Sequence, residues 1–243
     1  MLNGQALSSP LVLISLPKSA TDRQFSSKTS VSFIEKHRFW VILLSAAVIS
    51  QIPFIAIPFK LLESYFHEIS HGLAAVVTGG NIVKIELFPN GAGLCTTQGG
   101  SRFFISFMGY AGAAIWGTLI YLVASTHQCV AQVITALIAL MLCITLVLWV
   151  ADILTFLIIV ALLMFTLAKF KFSKMSYLQI SLQLTGALVL MNSIKSPWYL
   201  IDGRSFGDGA ALAQLTGLPE ILWVFIWFMI GISGIILLIK NQK

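Results

Sequence analysis

LLESYFHEISHGLAAVVTGG, Leu61–Gly80, is the stretch on which the reading of this chain turns. Its apolar content suits a helix from Leu61 to Thr78. Gly79-Gly80 then ends it, since glycine adopts the left-handed conformation that a helix C-cap needs. Unlike the apolar runs around it, the stretch carries Glu63, His67, Glu68 and His71. A spacing of four places His67 and His71 on one helical face, where two imidazoles can converge on one ion. Zinc accepts such nitrogens at about 2.0–2.1 Å, and a catalytic site leaves one position open for water. Glu68, beside His67, is placed to accept a proton from that water as it attacks a carbonyl. Together these residues form the H-E-x-x-H pattern of zinc hydrolases. Glu63 lies one turn earlier on the same face, and reads equally as an acceptor for an imidazole N–H or as a partner of Lys60.

Outward from this stretch, the solvent of the chain is lipid. Of 243 residues, 58% are hydrophobic and 10% are charged, against about a quarter charged in soluble domains. Mean hydropathy is +0.92. Two histidines and a glutamate are costly in such surroundings, and ionisable groups at membrane depth are functional by default. Apolar runs predict spans near 39–59, 103–124, 129–149, 152–168, 177–194 and 221–239, with Pro53 and Pro58 kinking the first. Between the His67 helix and the next span, Val83, Ile85 and Leu87 alternate with Lys84 and Glu86. Pro89-Asn90-Gly91 then supplies a turn, so 81–100 reads as a β-hairpin. The predicted fold is an all-α polytopic membrane protein of about 6–7 membrane helices, with a small β-hairpin after the metal-binding helix. Residues 1–37 form a polar tail and 38–243 the embedded domain.

Charge settles topology rather than partners. The net charge of +6 comes from residues flanking the spans, such as Lys36 and Arg38 before the first and Lys240 after the last. This points to lipid headgroups and excludes a nucleic-acid partner. The basic stretch Lys169-Phe170-Lys171-Phe172-Ser173-Lys174 reads as a loop. If every segment crosses, it falls on the face opposite the N-terminus, against the positive-inside tendency, so one helix need not cross fully. Cys95, Cys129 and Cys143 form no C-x-x-C pair and read as free thiols.

A third metal ligand must come from elsewhere, and position alone leaves Asp152, Asp202, Asp208 and Glu220 open. Asp152 sits in a tight connection where it would cap a helix, and Glu220 follows Pro219 as a first-turn acid. Asp202 and Asp208 lie in the irregular interval 197–219, and such backbone at membrane depth lines a cavity or packs inside protein.

The sequence His67-Glu68-Ile69-Ser70-His71-Gly72, the hairpin ending Thr97-Gln98-Gly99-Gly100, Gly109-Tyr110-Ala111-Gly112 and DGAALAQLTGLPEILW from Asp208 to Trp223 carry a resemblance. Together they resemble the site-2 protease family of intramembrane zinc metallopeptidases, and more closely its compact bacterial and plant branch. The resemblance covers most of the chain after residue 60. It implies a late aspartate as third ligand, with an asparagine ahead of it. Asn192 with Ile201-Asp202-Gly203 echoes one form of that pattern, and Gly207-Asp208-Gly209 matches the form of the compact branch. Asp208 is therefore the expected ligand, Asp202 the alternative, and Asn192 with Glu63 the expected polar support.

The resulting expectation is a zinc metalloendopeptidase, with Zn2+ as cofactor, cleaving a membrane-associated protein in a bacterial plasma membrane. A non-proteolytic metal-binding scaffold or regulator is the alternative, and a small transporter a third reading, weakened by the lack of repeats or paired broken helices.

Overall fold

The computed structural model describes residues 37–172, 175–201 and 206–241. The chain divides into two units, Met1–Arg38 and Phe39–Lys243, and the architecture is that of the second. The polar tail expected over 1–37 falls, apart from His37, outside the described residues.

Eight helices and one hairpin make up the described fold. They are α1 (Arg38–Ile49), α2 (Pro53–Val77), β1 (Asn81–Leu87), β2 (Gly93–Gln98), α3 (Arg102–Thr126), α4 (Gln128–Leu148), α5 (Ile153–Phe172) and α6 (Met175–Lys195). A 3₁₀ turn (Ser196–Leu200), α7 (Asp208–Thr216) and α8 (Glu220–Lys240) complete the chain. Helices α3, α4 and α8 are long and apolar enough to cross a bilayer alone, and the bent pair α1–α2 makes a fourth candidate. This is an all-α integral membrane protein with a small antiparallel hairpin.

The break between the first two helices is not where the sequence suggested. Pro53 and Pro58 were expected to kink a span running to residue 59, with a new helix from Leu61. Instead the chain bends by 105° between Ile49 and Pro53, and one continuous helix carries both Pro58 and His71. Proline's missing N–H costs nothing in the first helical turn, so Pro53 starts α2 rather than bending it. Pro58 is tolerated inside the helix. Before the bend, the Ser50 hydroxyl donates to the Ala47 carbonyl at 2.8 Å. The far end of α2 matches expectation. Gly79 takes φ +87°, its N–H donates to Val76 and that of Gly80 to Ala75, which is the paired bonding of a Schellman cap.

Helix α3 lies against α2, α4, α6, α7 and α8 and is the axis of the core. Small residues let backbones meet there, as in membrane helix pairs generally. A Cβ on Gly117 would stand 2.6 Å from the Leu190 backbone nitrogen of α6. Gly109 and Gly112 of the same helix face α2 instead. Lys169, expected in a basic loop, belongs to α5. Its ammonium donates to Thr185 at 2.7 Å and sits 4.2 Å from the Phe165 ring centroid, so one positive charge is turned into the fold. Lys174 lies outside the described residues.

The hairpin docks on α2 and turns as expected. Phe88 accepts from Gly91 across Pro89-Asn90, and Gly91 takes φ +84°, the left-handed position such loops reserve for glycine. A bulge between Ile82 and Lys84 throws Val83 outward (51% exposed), whereas Ile85 and Leu87 are fully buried. The simple alternation of Val83, Ile85 and Leu87 thus breaks at its first member, because a bulge inserts one unpaired residue. Lys60 donates to the Asn90 carbonyl at 2.7 Å and Ser64 to that of Gly91 at 2.6 Å, fixing the turn to α2. The outer edge of β1 is closed by the α4–α5 connection. Ile85 donates to Trp149 at 2.9 Å and Leu87 to the Thr155 hydroxyl at 3.0 Å.

Candidate metal centre

His67 and His71 occupy successive turns of α2, and the helix fixes both rings toward α3. Gly109 of α3 makes the approach possible. A Cβ there would lie 2.4 Å from His71 Nε2 and 2.7 Å from His67 Nε2, so any side chain would occupy the space the imidazoles use. Asp208 arrives from the other end of the chain as the first residue of α7, after Gly207 at φ +101° and ψ −168°. That backbone region is essentially confined to glycine, and it sets the direction in which Asp208 leaves the helix.

The three side chains meet. Asp208 Oδ2 is 3.2 Å from His67 Nε2 and 3.2 Å from His71 Nε2, and the two Nε2 atoms are 3.0 Å apart. Two such nitrogens and a carboxylate oxygen, each about 2.0–2.1 Å from a tetrahedral zinc, would be separated by about 3.3–3.4 Å. The donor set therefore has the right size for a small divalent ion.

Protonation points the same way. His71 Nδ1 is 2.7 Å from the Ile105 carbonyl, which only accepts, so Nδ1 carries a proton and Nε2 is the nitrogen turned toward Asp208. Two imidazole nitrogens and a carboxylate oxygen at 3.0–3.2 Å need positive charge among them, which a proton on a ring nitrogen or a bound cation supplies. The Ile105 contact is the partner that a metal-ligating histidine needs on its other nitrogen. Burial works against the Asp208 carboxylate, but the two imidazoles beside it hold its carboxyl well below the usual carboxylate range.

Glu68 is buried at 4% exposure beneath β2. A Cβ on Gly93 would fall 2.4 Å from its Oε1. Its electrostatic neighbours are His67, His71, Asp208 and the Cys95 backbone N–H, so the carboxylate stands between the ligand cluster and the strand. Among the described residues no backbone group covers the outer edge of β2. Burial pushes the Cys95 thiol up to about 12, which leaves it a neutral packing group. The three cysteines are free, with Cys129 exposed. Tyr110 closes the cluster from α3, its ring 4.4 Å from that of His67 and 4.8 Å from that of Trp227.

The remaining candidates separate. Asp152 caps α5, accepting from the Thr155 N–H at 2.8 Å, and Glu220 lies in the first turn of α8. Asp202 lies outside the described residues. Glu63 accepts from the Ser196 hydroxyl at 2.9 Å, Lys60 donates to the hairpin turn, and the two do not lie within ion-pair distance. Asn192 sits on α6 near Glu63, both lining one cavity, and its carbonyl accepts from Ser196. Sequence reasoning missed Ile105, Gly93 and the packing of Tyr110 on His67. Ile105 and Gly93 act through backbone position, which leaves no mark in residue type.

One family model matches, that of peptidase M50B-like proteins, over residues 40–238. No curated protein and no solved structure matches the chain.

Proposed function

Because the chain belongs to the peptidase M50B-like family, we propose that it is an intramembrane zinc metalloprotease that cleaves a membrane-associated protein. The observation that carries this reading is the convergence of His67, His71 and Asp208, with buried Glu68 beside them. Those three residues would hold the ion. A zinc ion bound there supplies Lewis-acid polarisation of a carbonyl and a water of lowered pKa.

The chain's own residues do the rest. Glu68 takes the proton of the attacking water and passes it to the nitrogen of the departing amine. Its confinement under Gly93 holds the carboxylate in one place. Ile105 keeps the His71 ring in the tautomer that presents Nε2. A scissile segment must be extended, because a helical carbonyl is already hydrogen-bonded. Apart from the Cys95 N–H, which Glu68 takes, the outer edge of β2 offers backbone groups for such a segment.

The test has two parts. Detergent-purified wild type should carry about one zinc per chain, lost in His67→Ala and in Asp208→Ala. In membranes containing Glu68→Gln beside wild type, new N-termini of membrane proteins should arise only with wild type, although Glu68→Gln retains zinc. Zinc retention with identical N-termini in both would leave a metal-binding scaffold. No zinc in folded wild type would remove the metalloprotease reading.

A further inference from the structure

A second feature lies beside the ligand cluster. The bend between α1 and α2, the hairpin turn and the end of α6 enclose a cavity of about 480 Å³. Its polar lining includes Lys60, Glu63, Asn90, Asn192, Lys195 and Ser196. Exposed apolar side chains line it as well, with Ile57 43% and Tyr199 74% exposed. Exposed apolar and polar groups side by side suit a ligand that leaves the bilayer and ends in a polar group.

The lining is rich in donors. An ammonium has three N–H groups. Lys60 spends one on the Asn90 carbonyl and Lys195 one on the Ser50 hydroxyl, so each keeps others for a ligand. The Asn90 side-chain oxygen is taken by the Ala92 N–H, which leaves its amide N–H₂ to donate. The one acid of the lining, Glu63, is buried at 4% exposure and bound to Ser196. Two cations against one acid that is already hydrogen-bonded give a cavity that favours an anion.

Its distance from the cluster fixes its register. Lys60 precedes His67 by seven residues on one helix, which is about 10 Å at 1.5 Å per residue. An extended chain covers that in about three residues. We propose that this cavity is a specificity subsite for an acidic side chain in the polar flank of the substrate, about three residues from the scissile bond. The subsite rests on the protease reading and adds to it the class of sequence selected.

Binding tests it without catalysis. The full chain carrying Glu68→Gln, supplied with zinc, is placed in phosphatidylcholine nanodiscs. It is titrated with fluorescent synthetic peptides in which a twenty-residue Leu/Ala span meets its flank at Asp, Asn or Lys. The Asp peptide should bind about tenfold tighter than the Lys peptide, which is one charge-assisted contact's worth of affinity. The preference should vanish in Lys60→Gln/Lys195→Gln and reverse in Lys60→Glu/Lys195→Glu, with zinc content unchanged and with equal melting temperatures in the two double variants, which both lose the Lys60 contact to the hairpin turn. Affinities within about twofold for all three peptides, or no saturable binding, overturn the subsite. So does phosphatidylglycerol abolishing the Asp preference through the same lysines, which assigns the cavity to a lipid headgroup. The Glu68→Gln chain is inert as a protease, so a charge preference found here stands even if wild type cleaves nothing. Cleavage by wild type without any charge preference removes the subsite and leaves the protease reading.

Discussion

Replacing Gly109 with alanine puts a methyl group 2.4 Å from His71 Nε2 and 2.7 Å from His67 Nε2. Ordinary contact between such atoms begins near 3.4 Å, so the rings or the α2–α3 spacing must give by about 1 Å. Metal–ligand distances tolerate only about 0.2 Å, so at least one imidazole leaves the ligand set. Disturbing a group that merely orients a ligand costs about 10–100-fold in metal affinity. Displacing a ligand should cost at least about 100-fold, or about 2.7 kcal/mol. The substitution should not harm α3 as a helix, since alanine favours helix over glycine by about 0.5–1 kcal/mol. Gly117→Ala is the matched control. It presses on the Leu190 backbone at 2.6 Å, away from the cluster, so it should lower stability by about 1–3 kcal/mol and leave the zinc affinity of folded protein unchanged. Zinc affinity is measured by competition with a chromogenic chelator on detergent-purified, monodisperse protein. Gly109→Ala binding zinc within about threefold of wild type would refute the argument that the missing side chain makes room for the ion.

Other expectations concern the frame around the site. Thr155→Val keeps the shape of the side chain but orphans the buried Leu87 N–H. It should cost about 1–3 kcal/mol in denaturant unfolding, and amide exchange should quicken across β1. Asp152→Ala removes the cap of α5 and should cost about 1 kcal/mol, most of it restored by Asn. The Thr155 backbone N–H and hydroxyl hold the Asp152 carboxyl below its ordinary value. The cap therefore contributes fully above the unfolded pKa of about 3.9, and its contribution fades as pH falls through the lower folded value. A wild-type minus Asp152→Asn stability difference that is flat across that acid range would refute the sign. Asp208→Asn keeps one oxygen but loses the charge, and should weaken zinc by at least about tenfold in the same chelator competition.

Much of the site was legible because its information is local. His67, Glu68 and His71 share one helix, and a spacing of four suffices to put two rings on one face. Gly79-Gly80 and Pro89-Asn90-Gly91 announced their cap and turn because both need backbone conformations few residues supply. The α1–α2 boundary was misplaced because proline reads the same whether it starts a helix or bends one. Lys169 was read as a loop residue because composition cannot show that Phe165 and Thr185 wait to receive its ammonium.

By itself, then, the sequence determined that this chain lives in lipid, that one helix presents two imidazoles and a carboxylate, and that a hairpin follows it. Each of these follows from composition or from a period of a few residues. Position in the sequence left Asp208 among four acids, and only the resemblance favoured it. Tertiary structure brings its carboxylate, some 140 residues further on, to 3.2 Å from both imidazoles. It also decided that Gly109 gives the rings their space and Gly93 confines Glu68, and that Ile105 sets the His71 tautomer. Those are contacts between distant segments, made by close backbone approach and a carbonyl that every residue possesses, so no residue type announces them.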